Sequence, residues 1–228
     1  MDTTRFCSSV SEALLPLASP ERQAPMQAYM KDRFAFLGVA TPARRAATMP
    51  LIRALKAPTA ADLLATAGAL WQMPAREFQY VAVDLLARHH RRLGRADVPA
   101  LLALAREKTW WDSVDGLAGV VGDVVRAARR DAPDPQACMD DAVADADFWV
   151  RRIAMLHQLG WRADTDRDRL FAYARRLAPE SEFFIRKAIG WALRDYAWHD
   201  PAPVRAFVAS MGTALSPLSR REATKHIG

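Results

Sequence analysis

Trp111 and Asp115 stand four residues apart, so on a helix they share one face. They lie in Lys108-Thr109-Trp110-Trp111-Asp112-Ser113-Val114-Asp115-Gly116, which opens a long apolar run reaching Val125. Thr109 is the expected N-cap of that helix, and acidic residues suit its first turn. An indole face beside a carboxylate attracts a cation. A carboxylate in such a place can also steady a growing positive charge and take a proton from water. Two tryptophans in mid-chain more often belong to a core, and both readings stay open at this point.

The elements that must position these residues are helices. Alternating Val, Ile and Thr runs are absent, as are Asn-Gly and Asp-Gly hairpin turns between apolar stretches. Helices are expected at 9–17, from Ser19-Pro20, and from Thr41-Pro42 after the connector Phe34–Val39. Further ones run from Pro58-Thr59 to Trp71, from Pro74 to the basic cluster His89-His90-Arg91-Arg92, over 98–106, and from Trp110 to before Pro133. The remainder lie at 136–143, 147–159, 165–177, 181–197, 201–211 and 219–227, with Gly, Pro or a polar cap at each break.

Phe78, Trp111, Trp149 and Phe184 each open such a helix, at separations of 33, 38 and 35 residues. That is the period of two-helix repeats such as HEAT and TPR. The expected fold is therefore all-α. It is an α-solenoid of antiparallel HEAT-like repeats in one domain, 1–228, curved with a concave basic face. Four residues after each aromatic come Ala82, Asp115, Ile153 and Ala188. Three after come Val81, Val114, Arg152 and Lys187, and seven after come Leu85, Ala118, Leu156 and Trp191. Asp115 and Trp191 break the pattern of their columns. A polar group in an apolar column costs stability unless it is paired or used.

The chain carries 32 Lys+Arg against 26 Asp+Glu, a net charge of +6, which suits an anionic partner such as nucleic acid. Arg151, Arg152, Arg186 and Lys187 would form a row of cations fit for a phosphate backbone. The competing reading is a solvated basic face paired with Asp and Glu. Cys7 and Cys138 form no disulfide framework, the histidines show no metal-ligand spacing, and no cofactor is expected. There is no secretory pattern and no run of roughly 18 apolar residues, so the expectation is a cytoplasmic protein without metal or membrane contact.

Trp111, Trp191 and Asp115 together would suit a purine made cationic by alkylation at a ring nitrogen. Such a base leaves readily, because departure neutralises it. Cleaving its N-glycosidic bond needs support for the oxocarbenium charge on the sugar and an oriented water, and one carboxylate can supply both.

With these residues in view, the chain resembles the AlkD-type DNA alkylation-repair glycosylases, built of HEAT-like repeats. The resemblance rests on 25–31 (PMQAYMK), Phe36-Leu37-Gly38, Arg76-Glu77-Phe78-Gln79, 110–115 (WWDSVD) and Trp149-Val150-Arg151-Arg152. It continues through 182–191 (EFFIRKAIGW) and 218–223 (LSRREA), so it spans nearly the whole chain. It implies excision of N3- and N7-alkylpurines, such as 3-methyladenine and 7-methylguanine, from duplex DNA by a monomer, without drawing the base into a pocket. It implies Asp115 as the main catalytic group, Trp111 and Trp191 flanking the lesion, Arg152 aiding binding and catalysis near the backbone, and Tyr29 at the DNA surface. Arg151 doubles an arginine where relatives can have a neutral residue, and Arg186 would add a DNA contact. Relatives often extend a little beyond Gly228, which raises the question of a shortened C-terminus. Trp71, Trp110, Trp149, Trp161 and Trp198 are expected in packing. The competing function is a non-catalytic helical-repeat protein that binds DNA or a protein on the same face; HEAT-like arrays are most often scaffolds.

Overall fold

The structure is a computed structural model that describes residues 1–130 and 134–227. It separates into two compact units, Met1–Leu104 and Ala105–Gly228. Every named element among the described residues is helical, apart from one isolated bridge between Ala35 and Ala75.

The first unit holds α1 (Thr3–Leu14), α2 (Pro20–Tyr29), α3 (Thr41–Arg53), α4 (Ala60–Gln72) and α5 (Arg76–Arg88), and α6 (Val98–Ala105) runs to its boundary. α1 packs on α3 and α4, and α5 packs on both of those. α1 starts earlier than the sequence suggested. The Asp2 side chain accepts from the Arg5 N–H, and Phe6, Val10 and Leu14 then form one buried stripe. Thr59 caps α4 through a capping box with Asp62.

The connector before α3 is held by Glu77, which is fully buried. Its carboxylate accepts backbone N–H bonds from Leu37 (3.0 Å), Gly38 (2.9 Å) and Val39 (3.0 Å). Such bonds are what make a buried carboxylate tolerable. Gly38 sits at φ +83°, and a Cβ there would lie 2.2 Å from the Ser19 carbonyl oxygen. Two of the segments that carry the family resemblance are thus a structural clasp.

The second unit holds α7 (Trp111–Ala127), α8 (Ala137–Ala142), α9 (Phe148–Leu156), α10 (Arg167–Leu177), α11 (Phe183–Ala197), α12 (Pro201–Met211) and α13 (Pro217–Thr224). α7 packs on α9, α9 on α11 and α11 on α13. α8, α10 and α12 pack behind that row. This alternation is the stacked helix-pair arrangement that the repeat spacing implies.

Two expectations need correction. Thr109 is not the cap of α7. Its hydroxyl donates to the Ala105 carbonyl at 2.9 Å, and extended Trp110 takes the cap position. Trp198 is not a packing residue: it is 71 % exposed, its ring 4.9 Å from that of His226. Trp71, Trp149 and Trp161 are buried as expected. Pro133, expected beyond the end of α7, lies outside the described residues.

Candidate active site

The site is built on α7, α9 and α11. The N-terminal ends of these helices share an aromatic cluster. Ring centroids are 5.9 Å apart for Trp110 and Trp149, 5.3 Å for Trp110 and Phe184, and 4.8 Å for Trp149 and Phe184. Tilted and edge-on contacts of this kind add about 0.5–1.5 kcal/mol each beyond the area they bury. They register the first turns of three helices. Asp147 caps α9 by accepting from the Trp149 N–H at 2.9 Å, and Glu182 caps α11. Further along, Gly122 lets α7 close on the chain after α9, since a Cβ there would lie 1.9 Å from the His157 carbonyl oxygen.

That registration brings Asp115 and Arg152 together. Arg152 Nε donates to Asp115 Oδ1 at 2.7 Å and Nη2 donates to Oδ2 at 2.8 Å. Nη1 donates to the Phe184 carbonyl oxygen. The Arg152 side chain is 1 % exposed, whereas Asp115 keeps 24 %. A lone buried guanidinium would cost several kcal/mol. Here every nitrogen of the fork has an acceptor, and the bidentate geometry is the strong one. Burial pushes the Asp115 carboxyl above its ordinary value. The hydrogen bonds and charge of Arg152 oppose that rise, and Asp112 adds slightly to it.

Trp191 follows on α11. The Arg152 guanidinium lies 5.4 Å from its ring centroid and Lys187 Nζ lies 5.6 Å away. Trp111 sits in the first turn of α7, partly exposed, one turn before Asp115. Three of the expected site residues, Asp115, Arg152 and Trp191, are therefore joined by direct contacts.

The expected row of free cations has partners instead. Arg151 forms a bidentate pair with Glu180 (2.8 Å on both arms) and donates to the carbonyls of Asp145 and Ala146. Arg186 Nε donates to the Glu180 carbonyl at 2.9 Å. Lys187 and Arg194 share Glu222, each at 2.7 Å. Arg152 is turned inward to Asp115 rather than outward to a phosphate. The reason is local: α7, α13 and the loops that follow α8 and α10 bring acids or carbonyls within reach of each long side chain. Glu180 and Glu222 were missed in the sequence, because charge pairing between helices leaves no fixed spacing. Tyr29, in the first unit, is 69 % exposed at the last residue of α2.

Among the described residues, no group of three or more His, Cys, Asp or Glu side chains gathers as a metal site. No helix of the described residues is long and apolar enough to cross a membrane.

The fold and this site define a helical-repeat protein with a carboxylate clamped beside an indole. The sequence pattern described as "DNA alkylation repair enzyme" matches residues 10–227, and the chain belongs to that family. A solved structure described as a predicted DNA alkylation repair enzyme from Enterococcus faecalis is 33 % identical. The match covers 92 % of this chain and 97 % of that one, with a TM-score of 0.83. The protein smu.31 from Streptococcus mutans UA159 shares the fold, with 14 % identity over 79 % of this chain and 90 % of that one, TM-score 0.63. No curated protein matches the chain. Family membership gives the protein a role in DNA alkylation repair.

Proposed function

We propose that the protein is a monofunctional DNA glycosylase that hydrolyses the N-glycosidic bond of cationic N3- and N7-alkylpurines in duplex DNA. The observation that carries this reading is the Asp115 carboxylate, held from below by Arg152 and still partly open to solvent. A carboxylate has about four lone-pair positions, and the guanidinium occupies two. The others stay available to a substrate.

The C1′–N bond breaks and its electron pair leaves with the base, which departs neutral. Positive charge grows on C1′ and the ring oxygen, and Asp115 stabilises it. Water adds to C1′, and Asp115 accepts its proton. The products are a free base and an abasic site, and the proton passes to solvent. Arg152 is a positioning residue. It keeps the carboxylate ionised against the burial that would protonate it, and it fixes the orientation of the two oxygens. Trp111 and Trp191 offer indole faces to the cationic base. The Asp115 side chain keeps 24 % of its surface open, which favours reaction on a base still in the helix over a flipped one. Tyr29, Arg151, Arg186 and Lys187 remain candidate DNA contacts, the last three after exchanging their present partners for phosphate. The chemistry needs no metal or cofactor, and one chain supplies all the groups named.

The pairing of the cations favours one competing reading, a non-catalytic array in which the same ion pair is only structural. Incubation with methylated duplex DNA, followed by chromatography of free bases, separates the two. A glycosylase releases 7-methylguanine or 3-methyladenine, and a scaffold releases neither.

A further inference from the structure

The first unit contains a cationic groove outside the candidate active site. It lies between α3 and α5 and has a volume of about 580 Å³. Arg45, Arg53 and Arg88 line it, above a floor that includes Met49, Pro50 and Ala87. Arg45 and Arg53 are eight residues apart and so share one stripe of α3. Arg88 stands in the last turn of α5. Beside it, His89 Nε2 hydrogen-bonds the Ile52 carbonyl at 3.1 Å, which ties the ends of the two helices together. Arg53 follows Ile52 and Arg88 precedes His89, so this bond sets two guanidinium stems side by side.

The charge here is not balanced. Asp84 is the one acid lining the groove, and it is shared between buried Arg44 (3.2 Å) and Arg45 (3.0 Å). Arg45 is held by that contact yet remains 58 % exposed. Arg53 and Arg88 are exposed, with no ion pair among the described residues. This is the reverse of the second unit, where Arg151, Arg152 and Lys187 each have an acid.

We infer that this groove is a phosphate-binding site for the DNA backbone. Planar guanidinium forks suit phosphate oxygens. The lining holds no aromatic side chain for a base to stack on, so the ligand is a phosphodiester track rather than a free nucleotide. DNA is the polyanion that the family implies. The inference rests on DNA as the substrate and not on the glycosylase chemistry. Cations at the C-terminal ends of helices also favour the helix dipole. That role alone would stabilise the fold without touching DNA.

The test is binding of the full chain to undamaged duplex DNA across a salt series, with melting temperature measured in parallel. Replacing Arg53→Ala and Arg88→Ala together should lower the slope of log affinity against log salt by about 2, since each phosphate contact contributes about 0.9. Arg53→Lys with Arg88→Lys should restore most of that slope. Arg176→Ala, on exposed α10 surface, should leave it unchanged. An unchanged slope in the double alanine variant overturns the inference, and a lowered melting temperature with it assigns the arginines to the helix ends. Loss of binding to vesicles of anionic lipid, with the DNA slope intact, would assign the groove to a membrane surface and overturn it equally. A lowered slope in a protein that releases no methylated base supports the groove and rejects only the glycosylase reading.

Discussion

Arg152 and Asp115, 37 residues apart in sequence, meet through two parallel hydrogen bonds of 2.7 and 2.8 Å. The arginine is buried and the carboxylate is not wholly so. The pair therefore has an inside and an outside. The inside is satisfied by protein, and the outside is partly open to solvent.

This asymmetry sets a pH dependence. On the proposed mechanism Asp115 works as its anion, and burial raises its pKa above the ordinary value near 4. Base release should therefore fall as pH drops, with its half-point above the usual carboxylate range. In Arg152→Gln the opposing charge is gone, so the half-point should move higher still. Single-turnover rates across pH check this, and an acid limb at the same pH in both proteins would deny Arg152 its role in keeping Asp115 ionised.

Glu222 holds Lys187 and Arg194 on one carboxylate and is held below its ordinary pKa, first by the Lys187 hydrogen bond. Its stabilising effect is present above the unfolded-state pKa and is lost as pH falls through the depressed one. Glu222→Gln should lower stability by about 1–3 kcal/mol. It should also free two cations, steepening the salt dependence of DNA binding by about 1 to 2. Denaturant melts and salt titrations measure the two effects separately. An unchanged slope would place Lys187 and Arg194 away from the DNA.

Gly190 and Gly119 should respond oppositely to alanine. A Cβ on Gly190 would lie 2.4 Å from Glu222 Cβ and 2.9 Å from the Ser219 carbonyl oxygen. Gly190→Ala must push α13 from α11, costing about 1–3 kcal/mol. Gly119 is exposed within α7, with no atom within 4 Å of a new Cβ. Gly119→Ala should gain about 0.5–1 kcal/mol from helix propensity. Equal melting shifts of one sign would mean that the close approach at Gly190 is not real.

Much of the fold was legible because its signals are local. Proline at the first turns of α2 and α12, the Thr59 capping box and the aromatic at each repeat start all mark helices from within a few residues. Thr109 misled because the same hydroxyl can cap the next helix or bond back to the previous one, and it does the latter. Asp115 was legible as an outlier in an apolar column. Arg152 was named in the neighbouring column of the next repeat, but as a cation for phosphate; its pairing with Asp115 was not read. What could not be read was which cations were already neutralised. Glu180 and Glu222 reach their partners across helices, through long side chains with no sequence register. Trp198 misled for a related reason, since a tryptophan beside a helix end carries no mark of which way it faces.

The most direct measurement is the release of 7-methylguanine and 3-methyladenine from methylated duplex DNA by the native protein and by Asp115→Asn, at a temperature where circular dichroism shows both folded. The native protein should release free base. Asp115→Asn should bind the same duplex with similar affinity and release base at least about 10²-fold more slowly, the scale on which removal of a charge-stabilising group acts. Release at the native rate by the variant, or no release by the native protein, would contradict the account.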